Sequence, residues 1–296
     1  MDGSSDTSTA GLTATPIPGA KGAEVTGIDL AGPLDERKFR DWLEAFEKYH
    51  FLVFRDQFFT DDQFVTFSRW FGELEEHPDP KDWAAPDQPL ILRVSNVFRD
   101  TDQIKPVDDV GHKSFTLGTS VWHSDSSYRQ VPAKMSLLYA KEIPPSGSQT
   151  QFADMAAAYE ALPNDKKAEF EKLVVIHDFE TTRRHFKLPP RPKHVSDAVP
   201  PVRHPLVRSI PGGKALLLGM HASHIEGMDP DESRELMDWL QAWATRDEFV
   251  YTHDWRVGDL VMWDNRSSMH RAMPYPLATE RRLLHRTTIV GDGPLL

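Results

Sequence analysis

A histidine and an aspartate one residue apart, His123 and Asp125, are the first pair of side chains whose types and spacing could bind a metal ion. On a β-strand, residues i and i+2 point to the same face, so both side chains could reach one ion from one strand or from its frayed end. A second histidine would complete a two-histidine, one-carboxylate triad, which leaves coordination positions open for oxygen chemistry on iron(II). The pair is also compatible with a surface strand that carries two solvated polar side chains.

The candidate third ligand is His270, far along the chain. The residues before it predict a turn at 258–259, a buried strand at 260–263, and a loop that begins at 264–265 and ends at His270. The alternative is a histidine that only packs. A metal site therefore requires two distant segments to meet, which the sequence alone does not establish.

Two arginines near the end of the chain, Arg282 and Arg286, would share one face of a predicted strand. The planar guanidinium pairs bidentately with carboxylates, so this face could bind organic acids. The alternative is an edge strand whose solvated charges discourage aggregation.

The acidic balance of the chain excludes some partners. Its 45 Asp and Glu residues outnumber its 34 Lys and Arg residues, and the formal net charge is -11. An acidic surface without a basic block argues against nucleic-acid binding. No run approaches 18 consecutive apolar residues, so we predict no membrane span. The sequence has no cysteine, which excludes disulfides and thiolate catalysis and suits a cytoplasmic protein.

A series of short elements must position these motifs. Apolar spacing predicts a helix at 35–49 and buried strands at 51–54 and 135–139. A second helix begins at Thr60, where Gln63 completes a capping box. Many short strands with a few flanking helices predict a mainly β fold, either a sandwich or a barrel.

The rest of the chain predicts its organisation. Residues 1–15 are predicted to be a disordered N-terminal tail, and 16–296 a single domain. The segments at 77–120 and 181–203 are polar and contain prolines, and we expect lids or mobile loops there.

Several ordered blocks resemble the taurine dioxygenase / 2,4-dichlorophenoxyacetate dioxygenase family, written TauD/TfdA. The blocks are GAEVTGIDL at 22–30, WHSDSSY at 122–128, PPSGSQTQFADM at 144–155, HASHIEG at 221–227, GDLVMWDNR at 258–266 and RRLLHRTT at 281–288. The resemblance covers nearly all of the chain beyond the first 15 residues.

The resemblance implies a double-stranded β-helix, which is a jelly-roll and cupin-like core, and a reaction that uses iron(II), 2-oxoglutarate and O₂. It assigns the metal and catalytic positions to His123, Asp125 and His270. Thr150 matches the family threonine that hydrogen-bonds a 2-oxoglutarate carboxylate. Arg282 matches the arginine that pairs with the distal carboxylate.

Other positions follow from the same resemblance. Arg282 lies one residue further from His270 than the family spacing, so Arg281 is a second candidate for the cosubstrate. Trp263 is also counted among the residues that bind the cosubstrate. Arg286 matches the arginine that holds the acidic group of the substrate.

The blocks point to two branches of the family that differ in substrate. The blocks at 144–150, 199–208 and 221–227 resemble the aryloxyacetate branch, whereas FGELEEHP at 71–78 resembles the taurine branch. Besides Arg286, the candidate substrate residues are His224, His77, Lys113 and Thr119. By contrast, His221 and His204 are predicted to be structural.

The predicted function is hydroxylation of a small acid that bears a carboxylate or a sulfonate, for example an aryloxyalkanoate, with release of succinate and CO₂. Such hydroxylation would also cleave a substrate in which the new hydroxyl shares its carbon with an ether oxygen or a sulfonate. The alternatives are an oxygenase of secondary metabolism that acts on an amino-acid-like acid, a zinc hydrolase, and a non-catalytic cupin-like binding protein. A homo-oligomer is left open.

Overall fold

The computed structural model describes residues 13–77 and 83–296. Residues 1–12, most of the predicted disordered tail, lie outside the described residues. The prediction also places residues 13–15 in that tail, but they pair with a neighbouring strand and belong to β1. A single domain over 16–296 stays a prediction.

Sixteen strands lie within the described residues, and most are short. They are β1 (Thr13–Pro16), β2 (Ala23–Thr26), β3 (Phe51–Phe54), β4 (Ala84–Ala85), β5 (Gln88–Ser95), β6 (Met135–Glu142), β7 (Thr150–Asp154), β8 (Val174–His177), β9 (Val202–Pro205), β10 (Val207–Ile210), β11 (Gly213–Leu216), β12 (Ala222–Ile225), β13 (Val250–His253), β14 (Leu260–Asp264), β15 (Ser268–Ala272) and β16 (Leu283–Ile289). The predicted strands at 51–54, 135–139 and 260–263 are confirmed.

Eight α-helices and one 3-10 turn, Asp247–Phe249, complete the described elements. The helices are α1 (Glu36–Tyr49), α2 (Asp61–Arg69), α3 (Val110–Ser120), α4 (Met155–Glu160), α5 (Asn164–Phe170), α6 (Thr181–His185), α7 (Lys193–Ala198) and α8 (Pro230–Ala244). The capping box of α2 is confirmed, because the Thr60 hydroxyl accepts from the Gln63 amide and the Gln63 side chain accepts from the Thr60 amide.

Two sheets form the core of the fold. The larger has eight strands in the order β1-β2-β3-β14-β6-β16-β5-β4, and the smaller has three in the order β13-β7-β15. Phe152 on β7 packs against Phe51 on β3 at 4.6 Å and against Trp263 on β14 at 5.4 Å between ring centroids. The smaller sheet therefore faces the larger one across a buried aromatic layer. The predicted mainly β fold with flanking helices and a jelly-roll core is confirmed.

Helices α1 and α2 cover the opposite face of the larger sheet. Trp42 on α1 contacts Phe67 on α2 with ring centroids 5.6 Å apart, and both side chains are almost fully buried. Burial of large aromatic side chains contributes much of the hydrophobic stabilisation of a core. This layer holds the sheet whose strands carry several site residues.

The two segments predicted as irregular contain helices. The stretch at 77–120 includes α3 after β5, and 181–203 includes α6 and α7. Their helical pattern is hidden because these helices bury few apolar side chains. Arg183 on α6 donates to the hydroxyl of Ser114 on α3 at 3.1 Å, so the two segments contact each other.

Candidate active site

Of the two placements that the spacing allowed, a regular strand is wrong, because His123 makes only an isolated bridge and Asp125 lies in a turn. His123 forms an isolated antiparallel bridge with His270, with backbone N–O distances of 3.0 and 2.8 Å. The chain then turns through Ser126, whose φ is 54°. The turn, and not strand alternation, therefore brings the Asp125 side chain next to that of His123.

His270 lies inside a strand, so the prediction that it ends a loop is wrong. A tight turn at 265–267 joins β14 to β15, and His270 is the middle residue of β15, opposite Phe152 of β7. The position of His270 is therefore held by backbone pairing on both sides, with β7 on one edge and the His123 bridge on the other.

Gly219 allows another segment to approach this bridge. A Cβ atom at Gly219 would lie 2.9 Å from the Cα of His123 and 3.1 Å from the carbonyl oxygen of Trp122, and its φ is +111°. The next residue, Met220, donates its amide to that carbonyl at 2.8 Å. A side chain at 219 would displace His123, so glycine is required on both steric and conformational grounds.

The three candidate ligands converge in a buried position. One ligand atom from each of His123, Asp125 and His270 lies within 4.8 Å of the other two. The two imidazole centroids are 4.1 Å apart, and His270 Nε2 lies 3.8 Å from Asp125 Oδ2. Two imidazoles and one carboxylate fit a divalent first-row metal and leave coordination positions open. The structure brings together the three residues that the sequence singles out.

Hydrogen bonds orient these side chains. His123 Nδ1 lies 2.8 Å from the carbonyl oxygen of Val121, which leaves Nε2 for the metal. Ser136 donates to Asp125 Oδ2 at 2.7 Å and accepts from the Asn265 amide at 2.8 Å. Sequence reasoning missed Ser136 and Asn265, although Asn265 belongs to the GDLVMWDNR block, which is a signal that could have found it.

The site also sets the protonation states that metal binding needs. Burial lowers the pKa of His123 and brings the pKa of His270 well below its ordinary value, so both imidazoles are neutral. Burial opposes ionisation of Asp125, but the charge of Arg286 leads the effects that outweigh burial and lower the pKa of its carboxyl to about 2. Neutral imidazoles and an ionised carboxylate can bind a metal without losing protons.

A recess of about 30 Å³ lies beside the triad and is lined by Thr150 and Arg282. Burial lowers the pKa of Arg282 to about 10, so its guanidinium is still charged at neutral pH. Within residues 13–77 and 83–296 no ion pair includes Arg282, and its side chain has one long hydrogen bond, to the Ser148 carbonyl at 3.4 Å. A buried cation without a counter-ion is costly, so this position fits a carboxylate ligand.

Arg281, the second candidate for the cosubstrate, points away from the recess. Its guanidinium forms ion pairs with Glu142 at 2.6 Å and with Asp102 at 2.7 Å near the surface. This corrects the prediction, because neighbouring residues entering a strand face opposite sides. Trp263 lines the recess, is fully buried, and packs against the His270 ring at 4.7 Å.

A cavity of about 780 Å³ adjoins the recess. Both spaces are lined by His123, Thr119 and Arg286. His77 lines the cavity but not the recess. One nitrogen of Arg286 donates to Asp125 Oδ1, while its Nε has no partner among the described residues. The candidate substrate residues Arg286, His77 and Thr119 therefore face the space next to the triad.

Aromatic side chains form much of the remaining cavity wall. Trp83 stacks on Phe115 of α3 with ring centroids 4.6 Å apart, and Tyr128 packs on Phe179 at 4.2 Å. Such a wall suits an apolar or aromatic ligand body.

Two predicted substrate residues do not reach the cavity. His224 is exposed on β12 and bonds to the neighbouring Ser223 hydroxyl, and Lys113 is exposed on α3. Neither lines the cavity, because strand and helix periodicity point their side chains outward. His221, predicted to be structural, instead lines the cavity. His204 is fully buried, and its Nε2 lies 3.0 Å from a backbone carbonyl, as expected for a structural histidine.

Comparisons with known proteins agree with this geometry. The model of the family described as "Taurine catabolism dioxygenase TauD, TfdA family" matches residues 13–288. The chain is 38% identical to alpha-ketoglutarate-dependent 2,4-dichlorophenoxyacetate dioxygenase of Cupriavidus pinatubonensis, over 94% of this chain and 98% of the relative. It is 36% identical to (S)-phenoxypropionate/alpha-ketoglutarate-dioxygenase of Sphingobium herbicidovorans, over 94% of each. A crystal structure of AAD-2 in complex with Mn(II) and N-oxalylglycine superimposes with a TM-score of 0.87 and 37% identity, over 96% of this chain and 98% of that one.

The fold and the site define an oxidoreductase that depends on iron(II) and 2-oxoglutarate. The chain belongs to the TauD/TfdA family of dioxygenases. Among the described residues no helix has both the length and the apolar character needed to cross a membrane.

Proposed function

We propose that this enzyme hydroxylates a small aryloxyalkanoate or a related acid, and that Arg286 holds the carboxylate or sulfonate of that substrate. The position of Arg286 carries the proposal, because its guanidinium contacts Asp125 and lines both the cavity and the recess. An acid bound there would have its neighbouring carbon beside the candidate metal ligands. The names of the relatives, which specify 2,4-dichlorophenoxyacetate and (S)-phenoxypropionate, support this substrate class.

The same proposal assigns the remaining roles. His123, Asp125 and His270 would hold iron(II), and the hydroxyl of Thr150 and the guanidinium of Arg282 would hold one carboxylate of 2-oxoglutarate. The recess is too small for a five-carbon diacid. The cosubstrate would therefore occupy the recess together with part of the adjoining cavity, with which the recess shares His123, Thr119 and Arg286.

The chain's own contribution is placement and exclusion of water. Bound iron(II), 2-oxoglutarate and O₂ together supply the oxygen atom that enters a substrate C–H bond, with release of succinate and CO₂. Arg286 would fix the acidic end of the substrate, and the aromatic wall would fix its apolar body. Two anchors restrict which C–H bond lies next to the metal, and such positioning contributes strongly to rate.

The fate of the product depends on the substrate carbon that is hydroxylated. If this carbon bears an ether oxygen, hydroxylation gives a hemiacetal. The bond between the hemiacetal carbon and the ether oxygen then breaks, the departing phenol oxygen takes the hydroxyl proton, and the former hemiacetal carbon becomes the carbonyl carbon of an oxo acid. A hydroxylation would thus cleave an aryl ether without a hydrolytic step.

The test is 2-oxoglutarate turnover across a panel of aryloxyacetates, aryloxypropionates and alkylsulfonates. Succinate release and loss of the added acid are measured in the same reaction. We expect at least one aryloxyalkanoate to be consumed in proportion to succinate. If no member is oxidised while succinate accumulates, this substrate class is wrong, and an amino-acid-like acid becomes the leading alternative.

Arg286→Met tests the anchor itself. Loss of a charge-assisted hydrogen bond costs about 1.5–3 kcal/mol, so we expect the KM for the acid to rise roughly 10- to 100-fold. Arg203→Met is the matched control, because Arg203 is an exposed arginine paired with Glu226. Equal effects of the two substitutions would contradict the assignment.

A spectroscopic test distinguishes an iron(II) and 2-oxoglutarate enzyme from a zinc hydrolase or a non-catalytic binding protein. Anaerobic addition of iron(II) and 2-oxoglutarate should produce a visible charge-transfer band, which zinc cannot give.

A cytoplasmic location and a homo-oligomer stay predictions from the sequence.

A further inference from the structure

The indole of Trp255 lies behind the wall of the recess. Its Nε1–H donates to the Thr150 hydroxyl oxygen at 2.9 Å. Both residues are buried. Thr150 lines the recess, whereas Trp255 lines neither the recess nor the cavity. Trp255 can therefore affect a ligand in the recess only through another residue.

The direction of this hydrogen bond is not ambiguous. An indole N–H can only donate, and a threonine hydroxyl has one proton and two lone pairs. The Trp255 bond occupies a lone pair of Thr150 and leaves its single O–H free. Thr150 donates to no other group among the described residues, so its proton can be directed into the recess.

Trp255 is itself held from behind. Its ring lies edge-on against the His253 ring, with centroids 4.5 Å apart and an interplanar angle of 83°. His253 is fully buried, and its Nε2 lies 3.1 Å from Asp259 Oδ2. That carboxylate oxygen also accepts from Arg55 at 2.6 Å. The indole of Trp255 thus packs against a histidine that an ion-paired aspartate holds in place.

We propose that Trp255 is a positioning residue for 2-oxoglutarate, because it orients the Thr150 hydroxyl as a donor toward the carboxylate that Arg282 also binds. This inference rests on the proposed role of Thr150. Without the indole, the hydroxyl could rotate and donate to another acceptor. Binding of the 2-oxoglutarate carboxylate would then have to reorient the Thr150 hydroxyl, and the cost of this ordering weakens binding.

The test is a double-mutant cycle on Mn(II)-loaded enzyme, with N-oxalylglycine titrated calorimetrically. We expect Trp255→Phe to weaken binding about three- to tenfold, the range of one hydrogen bond. In the Thr150→Val background the same substitution should have no further effect, because the group it orients is gone. Trp239→Phe is the matched control, since Trp239 is a partly exposed tryptophan on α8, and we expect wild-type affinity.

Each other outcome counts against the inference. Equal weakening by Trp255→Phe in both backgrounds would mean that Trp255 acts by another route. Unchanged binding in Trp255→Phe would remove its role. Wild-type affinity in Thr150→Val would overturn the proposed role of Thr150 itself, which separates that failure from a failure of Trp255 alone.

A second measurement leaves position 255 unchanged, in case Trp255→Phe does not fold. In ¹⁵N-labelled enzyme, one indole N–H resonance should move in Thr150→Val and should also move when N-oxalylglycine binds the wild type. If no indole resonance responds to both changes, the inference is wrong.

Discussion

The Arg286 guanidinium donates to one oxygen of Asp125, and Ser136 donates to the other. A candidate substrate anchor, which is partly buried, and a candidate metal ligand, which is fully buried, thus form one ion pair. The carboxylate is the same group that faces His270 at 3.8 Å. Any ligand that draws Arg286 away therefore changes the charge around the metal position.

Replacing Asp125 with Ala should abolish oxidation and reduce Mn(II) affinity at least about 100-fold, since loss of residues that only orient a ligand already costs 10- to 100-fold. It also leaves the partly buried Arg286 without its partner, which should lower the free energy of unfolding of the metal-free protein by about 1–3 kcal/mol. Mn(II) titration and urea unfolding measure the two effects. Asp292→Ala, at an exposed surface pair with Lys134, is the control and should change neither. Undiminished oxidation in Asp125→Ala would exclude the triad.

Arg282 is buried at the recess, whereas its neighbour Arg281 forms ion pairs near the surface. Substitutions at these two arginines therefore serve as test and control. Arg282→Met should raise the KM for 2-oxoglutarate roughly 100-fold, because it removes a buried, charge-assisted contact. Arg281→Met removes only a partly exposed ion pair with Glu142 and Asp102 and should leave this KM within about twofold. Initial rates at varied 2-oxoglutarate decide between them. The reverse ranking would restore Arg281 as the cosubstrate residue.

His221 and His224 form a second matched pair, on the HASHIEG block. The His221 ring lines the cavity and packs edge-on against Tyr128 at 4.8 Å. We expect His221→Ala to raise the KM for the acid substrate about three- to tenfold by removing part of the wall, with the KM for 2-oxoglutarate unchanged. His224→Ala, at an exposed position, should behave as the wild type. Similar substrate kinetics for both variants would contradict the placement of these side chains.

His177 should make the fold sensitive to acid. It is fully buried on β8, neither ring nitrogen has a partner among the described residues, and basic groups surround it, namely His204, His221 and Arg208. Burial, reinforced by these neighbours, holds the pKa of His177 well below its ordinary value of 6.5. Below pH 6.5 the unfolded chain therefore binds a proton at this histidine that the folded chain does not bind. The free energy of unfolding consequently decreases as the pH is lowered below 6.5.

His177→Leu removes this dependence. The loss of unfolding free energy between pH 7 and pH 5 should shrink by about 2 kcal/mol, at 1.36 kcal/mol for each pH unit below 6.5. Urea unfolding at several pH values gives the slope. His224→Gln, an exposed histidine on the neighbouring strand, is the control. Parallel stability curves for His177→Leu and the wild type would show that His177 is protonated in the folded state or is not the titrating group.

The chemistry of the site was predictable from residue types. A histidine, an aspartate and a second histidine supply a triad, and paired arginines supply anion binding. Local signals also located the α2 capping box and the central strands, because these depend on neighbours within a few residues. The helix α3 was missed because it buries little apolar surface and so shows no periodicity.

The sequence by itself determined the set of donors, the absence of thiol chemistry, and the adjacent strands β3, β14 and β6 of the larger sheet. Only the tertiary structure decided which donors meet. The bridge between His123 and His270 joins segments that no local pattern connects, and it replaces the predicted strand with a turn at Asp125. The faces of Arg281 and Arg282, and of His221 and His224, depend on how the chain enters and leaves its strands. A shift of one residue in the strand register moves every side chain of that strand to the other face of the sheet. The face that each residue occupies is therefore set only by pairing with distant strands.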